Sequence, residues 1–172
     1  MNKKELLNSL KAESFSDIIL DAFAKVKRED FVLGNYKNLA YEDVALPLEE
    51  GATISQPYTI AFMLELLELK KGQKILEIGS GSGYVLALIS YIIKKGKIYG
   101  IEIIKSLAES SKQLLKKDKK IKIFNRDGST GLVEKAPFDG ILISAAASKT
   151  PNNLLKQLKD DGILVSPVNN SI

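Results

Sequence analysis

The sequence predicts a doubly wound α/β fold, a mostly parallel sheet with helices on both faces and a helical extension at the N-terminus. Three observations predict it. From residue 57 onward, short apolar runs alternate with stretches of helical periodicity. The runs are apolar throughout rather than at every second position, as strands covered on both faces require. The first run leads into a glycine-rich turn and then a helix, and sheets of this class take ligands at such strand tips.

The elements follow in order. Leu6, Leu7 and Leu10 place a first helix over residues 5–11. Ile18, Ile19, Ala22, Phe23 and Val26 place a second over residues 16–25, with Ser16 or Asp17 as its cap. Residues 27–57 have no strong periodicity and contain Gly34, Asn35, Pro47 and Gly51. A connection this long inside a compact domain is usually functional or disordered. Pro57 suits the first turn of a third helix, whose face is Ile60, Met63, Leu64, Leu66 and Leu67 and which ends before Gly72. Strands are then expected over residues 74–78, 97–101, 121–124, 138–144 and 163–166. Helices are expected over residues 84–93, 105–116 and 151–158.

Composition narrows the chemistry. A chain of 172 residues, 45% apolar and 27% charged, can build one domain with a real core and is not a disordered type. No apolar run has the length of a membrane span, and Met1-Asn2-Lys3-Lys4-Glu5 leads into no apolar signal region. The expectation is a cytoplasmic protein, away from membranes and monomeric. Cysteine and histidine are both absent. That removes disulfides, thiolate nucleophiles, Cys/His metal sites and histidine as general base, so no metal is expected. The net charge is +4, with lysines concentrated over residues 112–122. No arginine or aromatic residue is interleaved there, so this run reads as a solvated helix end rather than a nucleic-acid surface.

The most informative stretch is Glu77-Ile78-Gly79-Ser80-Gly81-Ser82-Gly83-Tyr84. Glycine permits a tight turn with positive φ and lets a ligand approach the backbone. The spacing is Gly-x-Gly-x-Gly, not the Gly-x-Gly-x-x-Gly of dinucleotide folds, and no Gly-Lys-Ser/Thr run follows. A carboxylate two residues before Gly79 opposes a pyrophosphate and suits a ligand with an amino group and a sulfonium. The next strand ends at Glu102, where a carboxylate can grip both ribose hydroxyls. After the third strand comes Asp127-Gly128, placed to meet an adenine edge. Each piece alone has a plain structural alternative: an empty turn, a surface glutamate, a common turn dipeptide. In order, each at a strand tip, they resemble the cofactor site of class I S-adenosylmethionine methyltransferases, which have a Rossmann-like sheet.

The segment before the sheet resembles one family within that class. The run Thr53-Ile54-Ser55-Gln56-Pro57 is similar to a narrow signature of the protein-L-isoaspartate O-methyltransferases. Arg28-Glu29-Asp30-Phe31-Val32, Tyr41-Glu42-Asp43, Leu46-Pro47, Ala136-Pro137-Phe138-Asp139 and Ala145-Ala146-Ala147 fit the same family. The resemblance covers about residues 6–168. It implies methyl transfer from S-adenosyl-L-methionine to the free α-carboxylate of L-isoaspartyl residues in damaged proteins or peptides. The ester then closes to a succinimide, which reopens in part as normal aspartate. The resemblance puts the catalytic serine at Ser55. It puts substrate contacts at Thr53, Ile54, Gln56, Pro57, Ala145, Ala146 and Ala147. Cofactor contacts fall at Glu77, Gly79, Ser80, Gly81, Gly83, Glu102, Asp127 and Gly128. Residues 1–57 would then carry the N-terminal helices and substrate loop, and residues 58–172 the cofactor-binding sheet of a single domain.

Two of these positions have competing readings: Ser55 as a cap for the helix at Pro57, and Ala145 to Ala147 as close packing. The sequence departs from the family at Ser148, Asp161 and Asn169, and the family's further pair of strands after Pro167-Val168 is expected to be missing. The alternatives in function are a methyltransferase for a small molecule or nucleic acid, and a cofactor-binding protein without turnover.

Overall fold

The computed structural model describes residues 1–145 and 152–167. Helix α1 (Lys3–Ala12) opens on a capping box. Asn2 Oδ1 accepts from the amides of Lys4 and Glu5 at 3.0 and 3.1 Å, and Glu5 Oε2 accepts from Asn2 N at 2.7 Å. Leu6 and Leu10 are its buried face. Helix α2 (Asp17–Lys25) buries Ile19, Ala22 and Phe23. Ser16 takes its N-cap position, but the side chain makes no capping bond. Its amide and hydroxyl both donate to Glu65 Oε2, at 3.0 and 2.9 Å, so the serine joins two helices rather than capping one.

Residues 27–56 have more regular structure than their periodicity predicts. They form 3-10 turns at Arg28–Asp30, Gly34–Leu39 and Glu49–Gly51, and a small antiparallel ribbon. The ribbon pairs β1 (Leu46–Pro47) with β2 (Thr53–Ile54), Leu46 opposite Ile54. Two-residue strands are too short to leave a periodic trace. Phe31, Val32, Leu46, Leu48 and Ile54 bury this segment against the core. Helix α3 (Pro57–Leu66) then starts with proline in its first turn and Gln56 as N-cap, so Ser55 does not cap it.

The main sheet follows from alternation of strand and helix: β3 (Lys74–Ile78), α4 (Tyr84–Ile93), β4 (Lys97–Glu102), α5 (Lys105–Leu115), β5 (Ile121–Asn125), β6 (Phe138–Ile143), α6 (Asn152–Leu155) and β7 (Leu158–Val165). All neighbours in it are parallel, in the order β5-β4-β3-β6-β7. The strand order reverses at β3, between β4 and β6, which marks the crevice where such sheets hold ligands.

Each face of the sheet has its own core. Ile75, Ile98, Ile123 and Leu142 pack with α1 to α5 on one side. Leu76, Tyr99, Ile101, Phe138, Ile141 and Ile143 pack with Leu132 and Leu154 on the other. The alternation is what a doubly covered strand produces. Helix α6 is shorter than expected and β7 longer, starting at Leu158 rather than Ile163. Lys159, Asp160 and Asp161 disguise the start of β7, because they lie on an exposed strand edge. There Lys159 pairs with Asp139 at 2.6 Å. The edge of the sheet is therefore polar over this part, which opposes edge pairing. Among the described residues no helix is long and apolar enough to cross a membrane.

Phe138 is fully buried at the start of β6, with its ring centroid 6.0 Å from that of Tyr99 in an edge-on arrangement. Phe138→Ala is expected to cost about 3–5 kcal/mol by opening a cavity. Phe62→Ala, at a side chain 48% exposed, is expected to cost less than about 1 kcal/mol. Urea unfolding of the two variants checks the contrast; equal losses would mean that the second core is not close-packed.

Candidate active site

The site forms where β3 ends. The amides of Gly79 and Ser80 donate to Ile101 O at 2.8 and 3.1 Å, and Gly83 N donates to Ser80 O at 2.8 Å. These bonds fold the chain back over the tip of β4 before α4 begins. Gly79, Gly81 and Gly83 all have positive φ, at 76°, 51° and 83°, which side chains tolerate poorly. Their surroundings differ. A Cβ on Gly79 would come within 2.8 Å of the Ala145 Cβ, and one on Gly83 within 2.8 Å of Leu115 Cδ1. A Cβ on Gly81 would meet only Leu48 Cδ1, at 3.7 Å. Gly79 and Gly83 are held by packing, and Gly81 keeps open space above the turn.

Glu77 is the penultimate residue of β3, paired with Gly100 on one side and Leu142 on the other. It is 1% exposed. Oε1 accepts from the Ser144 hydroxyl at 2.7 Å, but Oε2 has no partner. Burial pushes this carboxyl up to about 8; the Ser144 hydrogen bond opposes the shift and the Glu102 charge adds to it. The Ser80 hydroxyl is also buried without a partner.

Glu102 ends β4 and is bound into the turn. Oε2 accepts from Gly81 N at 2.7 Å and Oε1 from Ile104 N at 2.9 Å. Each oxygen retains acceptor capacity. At the next tip, Asn125 Nδ2 donates to the carbonyls of Glu102 and Ile103, both at 2.9 Å, tying β5 to β4. Asp127 is exposed and accepts from Ser129 N at 2.8 Å, which lowers its pKa. Gly128 is buried, and a Cβ there would come within 2.5 Å of Ile78 Cγ2. Packing on β3 thus requires this glycine, whatever it offers a ligand.

The opposite wall comes from the ribbon. One pocket is lined by Thr53, Ile54 and Ser55 together with Glu77, Gly79, Ser80, Gly81 and Ser144. Leu48, Ile60, Ser82, Tyr84 and Val85 complete it. The structure therefore brings Ser55 to the glycine turn. Glu102 lies just beneath, joined through Gly81 N; Asp127 and Gly128 lie beyond this pocket, along the strand tips. Gln56 and Pro57 continue into α3, outside the pocket lining. Ala145 packs on Gly79, while Ala146 and Ala147 lie outside the described residues.

Sequence reasoning missed Ser144 and Arg28. Ser144 sits at the end of an expected strand, where a lone hydroxyl gives little signal. Arg28 is fully buried and donates from Nη1 to Ser55 O at 2.9 Å. A buried carboxyl with an open oxygen on one wall and a hydroxyl on the other can accommodate a cationic methyl donor facing an anionic acceptor. The open Glu77 Oε2 and the space above Gly81 fit S-adenosylmethionine, whose ammonium and sulfonium both suit a carboxylate.

Comparison with known proteins bears on family and fold. The family model described as Protein-L-isoaspartate(D-aspartate) O-methyltransferase matches residues 1–172. A protein-L-isoaspartate O-methyltransferase of Pyrobaculum islandicum is 45% identical over 155 residues, covering 88% of this chain and 75% of the relative. One from Aliivibrio fischeri is 43% identical over 174 residues, covering 97% of this chain and 81% of the relative. A solved protein-L-isoaspartate O-methyltransferase superposes with a TM-score of 0.89 at 31% identity, over 98% of this chain and 56% of that one. A Plasmodium falciparum protein described as belonging to the same group, in complex with S-adenosyl-L-homocysteine, superposes with a TM-score of 0.86 at 27% identity, over 99% of this chain and 86% of that one.

The buried carboxyl makes stability depend on pH. A carboxyl raised from 4.5 to about 8 binds more protons in the folded than in the unfolded chain between those values. Its contribution is fully present below pH 4.5 and is lost as the pH rises through about 8. Glu77→Gln is therefore expected to flatten the fall in Tm over that window and to melt above the wild type at pH 8. Thermal melts across the window check this; parallel curves for the two proteins would place the proton elsewhere.

Proposed function

Because the chain belongs to the Protein-L-isoaspartate(D-aspartate) O-methyltransferase family, we propose that the pocket between Ser55 and the turn at residues 79–83 is its site of methyl transfer. The enzyme is an S-adenosylmethionine-dependent methyltransferase that acts on isoaspartyl residues, a protein-repair reaction. The observation that carries the siting is the shared lining of one pocket by Thr53, Ile54 and Ser55 from the ribbon and Glu77, Gly79, Ser80 and Gly81 from the turn.

When bound, S-adenosylmethionine supplies a methyl group already activated by its sulfonium. The chain's residues need only bind, orient and exclude water. Glu77 offers its open Oε2 to the cationic end of the cofactor. Glu102, oriented by Gly81 N and Ile104 N, offers its remaining lone pairs to the ribose hydroxyls. Asp127 and Gly128 face the adenine edge. Thr53, Ile54, Gln56 and Pro57 would receive the damaged peptide, with Ala145 packed against Gly79 beside them.

Ser55 donates a hydrogen bond that positions the α-carboxylate of the isoaspartyl residue. An α-carboxylate is already anionic at neutral pH, so no base is required, and a chain without histidine lacks nothing here. The cofactor would supply the methyl group and leave as a neutral thioether, so Ser55 would have only to orient the acceptor carboxylate and not to move a proton. Orientation of this kind can account for much of an enzyme's rate. The substrate is peptide rather than nucleic acid, in keeping with a lysine run that lacks arginine and aromatic partners. The enzyme works as a monomer in the cytoplasm, where asparagine and aspartate damage accumulates in long-lived proteins.

Incubation with labelled cofactor and matched isoaspartyl and aspartyl peptides is expected to label only the first. Equal labelling of both, or labelling of nucleic acid, would reject the reading. Ser55→Ala is expected to lower kcat/KM about 10–100-fold, as loss of one hydrogen bond to a charged group does, with cofactor affinity unchanged. Glu102→Ala is expected to weaken cofactor binding by about 1.5–3 kcal/mol. Calorimetry that finds wild-type affinity in the second variant would move the ribose site elsewhere.

A further inference from the structure

A buried cation lies behind the Ser55 wall. Arg28 has no exposed surface, yet among the described residues no carboxylate forms an ion pair with it. Its Nη1 donates to Ser55 O at 2.9 Å, and its Nη2 makes a long contact to Val44 O at 3.4 Å. Val44 and Ser55 flank the β1–β2 ribbon on its two sides, so one guanidinium holds both ends of the hairpin. Nε has no partner. The guanidinium lies over the Tyr84 ring, 5.4 Å from its centroid, and Tyr84 and Ser55 both line the pocket. Asp43 makes no ion pair with Arg28, but its negative charge acts on the guanidinium from nearby while its Oδ1 accepts from Tyr58 N at 2.8 Å. Burial lowers the Arg28 pKa to about 10, so the charge persists at neutral pH.

Burying a charge without a direct ion pair is costly. A neutral side chain could close the hairpin by packing alone. What a neutral chain could not provide is a positive potential one residue behind Ser55, where little solvent lies between to screen it. We propose that Arg28 is a positioning residue for the acceptor carboxylate: it fixes Ser55 through the main chain, and its buried charge, held in no direct ion pair, makes the pocket select an anionic acceptor over a neutral one. The inference rests on the reading of this pocket as the methyl-transfer site.

The test separates the charge from the fork. Arg28→Lys keeps a cation but cannot reach both carbonyls, and Arg28→Met keeps bulk and loses both functions. Each variant and the wild type are competed with an isoaspartyl peptide and with its counterpart bearing a carboxamide in place of the α-carboxylate. The ratio of the two inhibition constants reports preference for the anion, and a loss of packing alone would weaken both peptides together. Arg28→Met is expected to lose about tenfold or more of the wild-type ratio. Arg28→Lys is expected to keep the ratio while its kcat falls about tenfold or more, with cofactor affinity held in both.

An unchanged ratio in Arg28→Met overturns the proposal. If that variant does not fold, Arg28→Lys decides: wild-type kcat there overturns it, and a lowered kcat with the ratio retained supports it. A wild-type enzyme that labels no isoaspartyl peptide removes the underlying reading instead, a result distinct from an active enzyme whose ratio does not respond.

Discussion

The site depends on a carboxylate buried in the middle of a parallel sheet. Glu77 stands where the strand order reverses, between Gly100 and Leu142, with one oxygen held by Ser144 and the other open. A carboxylate in that place costs stability at neutral pH, since burial favours its protonated form. A sheet built for stability alone would put an aliphatic residue there, as it does at Ile75 two positions earlier on the same face. The neighbouring structure reads as accommodation of this group. Gly100 opposite it admits Leu86 and Ser80, the Ser144 hydroxyl reaches it from the next tip, and the turn above exposes no side chain at Gly81.

Charge then separates the two sides of the pocket. The sheet side holds buried acceptors, Glu77 and Glu102, and the ribbon side holds a buried cation, Arg28, behind Ser55. In the proposed reading a methyl donor with a sulfonium and an acceptor with a carboxylate carry opposite charges, and each would meet its complement. The arrangement also orders the two reactants, because swapping them would set like charges against each other at short range and low dielectric. Transfer cancels one positive and one negative charge, so the products are held less strongly by these walls than the reactants, which favours release.

The sheet and turn were legible because their signals are local. Five apolar runs, three expected helices and the Glu77-to-Gly83 spacing each lie within a dozen residues, and the structure has them in the expected order. What the sequence concealed depends on distance. The β1–β2 ribbon is two residues wide and stabilised by Leu46, Leu48 and Ile54 reaching the core, so no periodicity announces it. The start of β7 is masked by Lys159, Asp160 and Asp161, whose exposure on an edge lets charge enter a strand. Gly128 illustrates a subtler limit. Its position after the third strand suggested room for a ligand, whereas contact with Ile78 supplies a packing reason of its own.

Arg28 shows why a functional residue can escape a motif. In the sequence it is one charge in Arg28-Glu29-Asp30-Phe31-Val32, a run that fits the family's pattern but assigns no role to the arginine. In the fold those neighbours point elsewhere: Glu29 takes the Tyr41 hydroxyl, and the guanidinium turns inward beneath Ser55. Its partners are two carbonyls, and carbonyls carry no residue identity that a sequence could reveal. The Thr53-to-Pro57 signature and the Arg28 run are therefore one device seen twice. The first presents the hydroxyl, and the second holds its backbone and sets the potential behind it, so a change at either should be felt at the acceptor before it is felt at the cofactor.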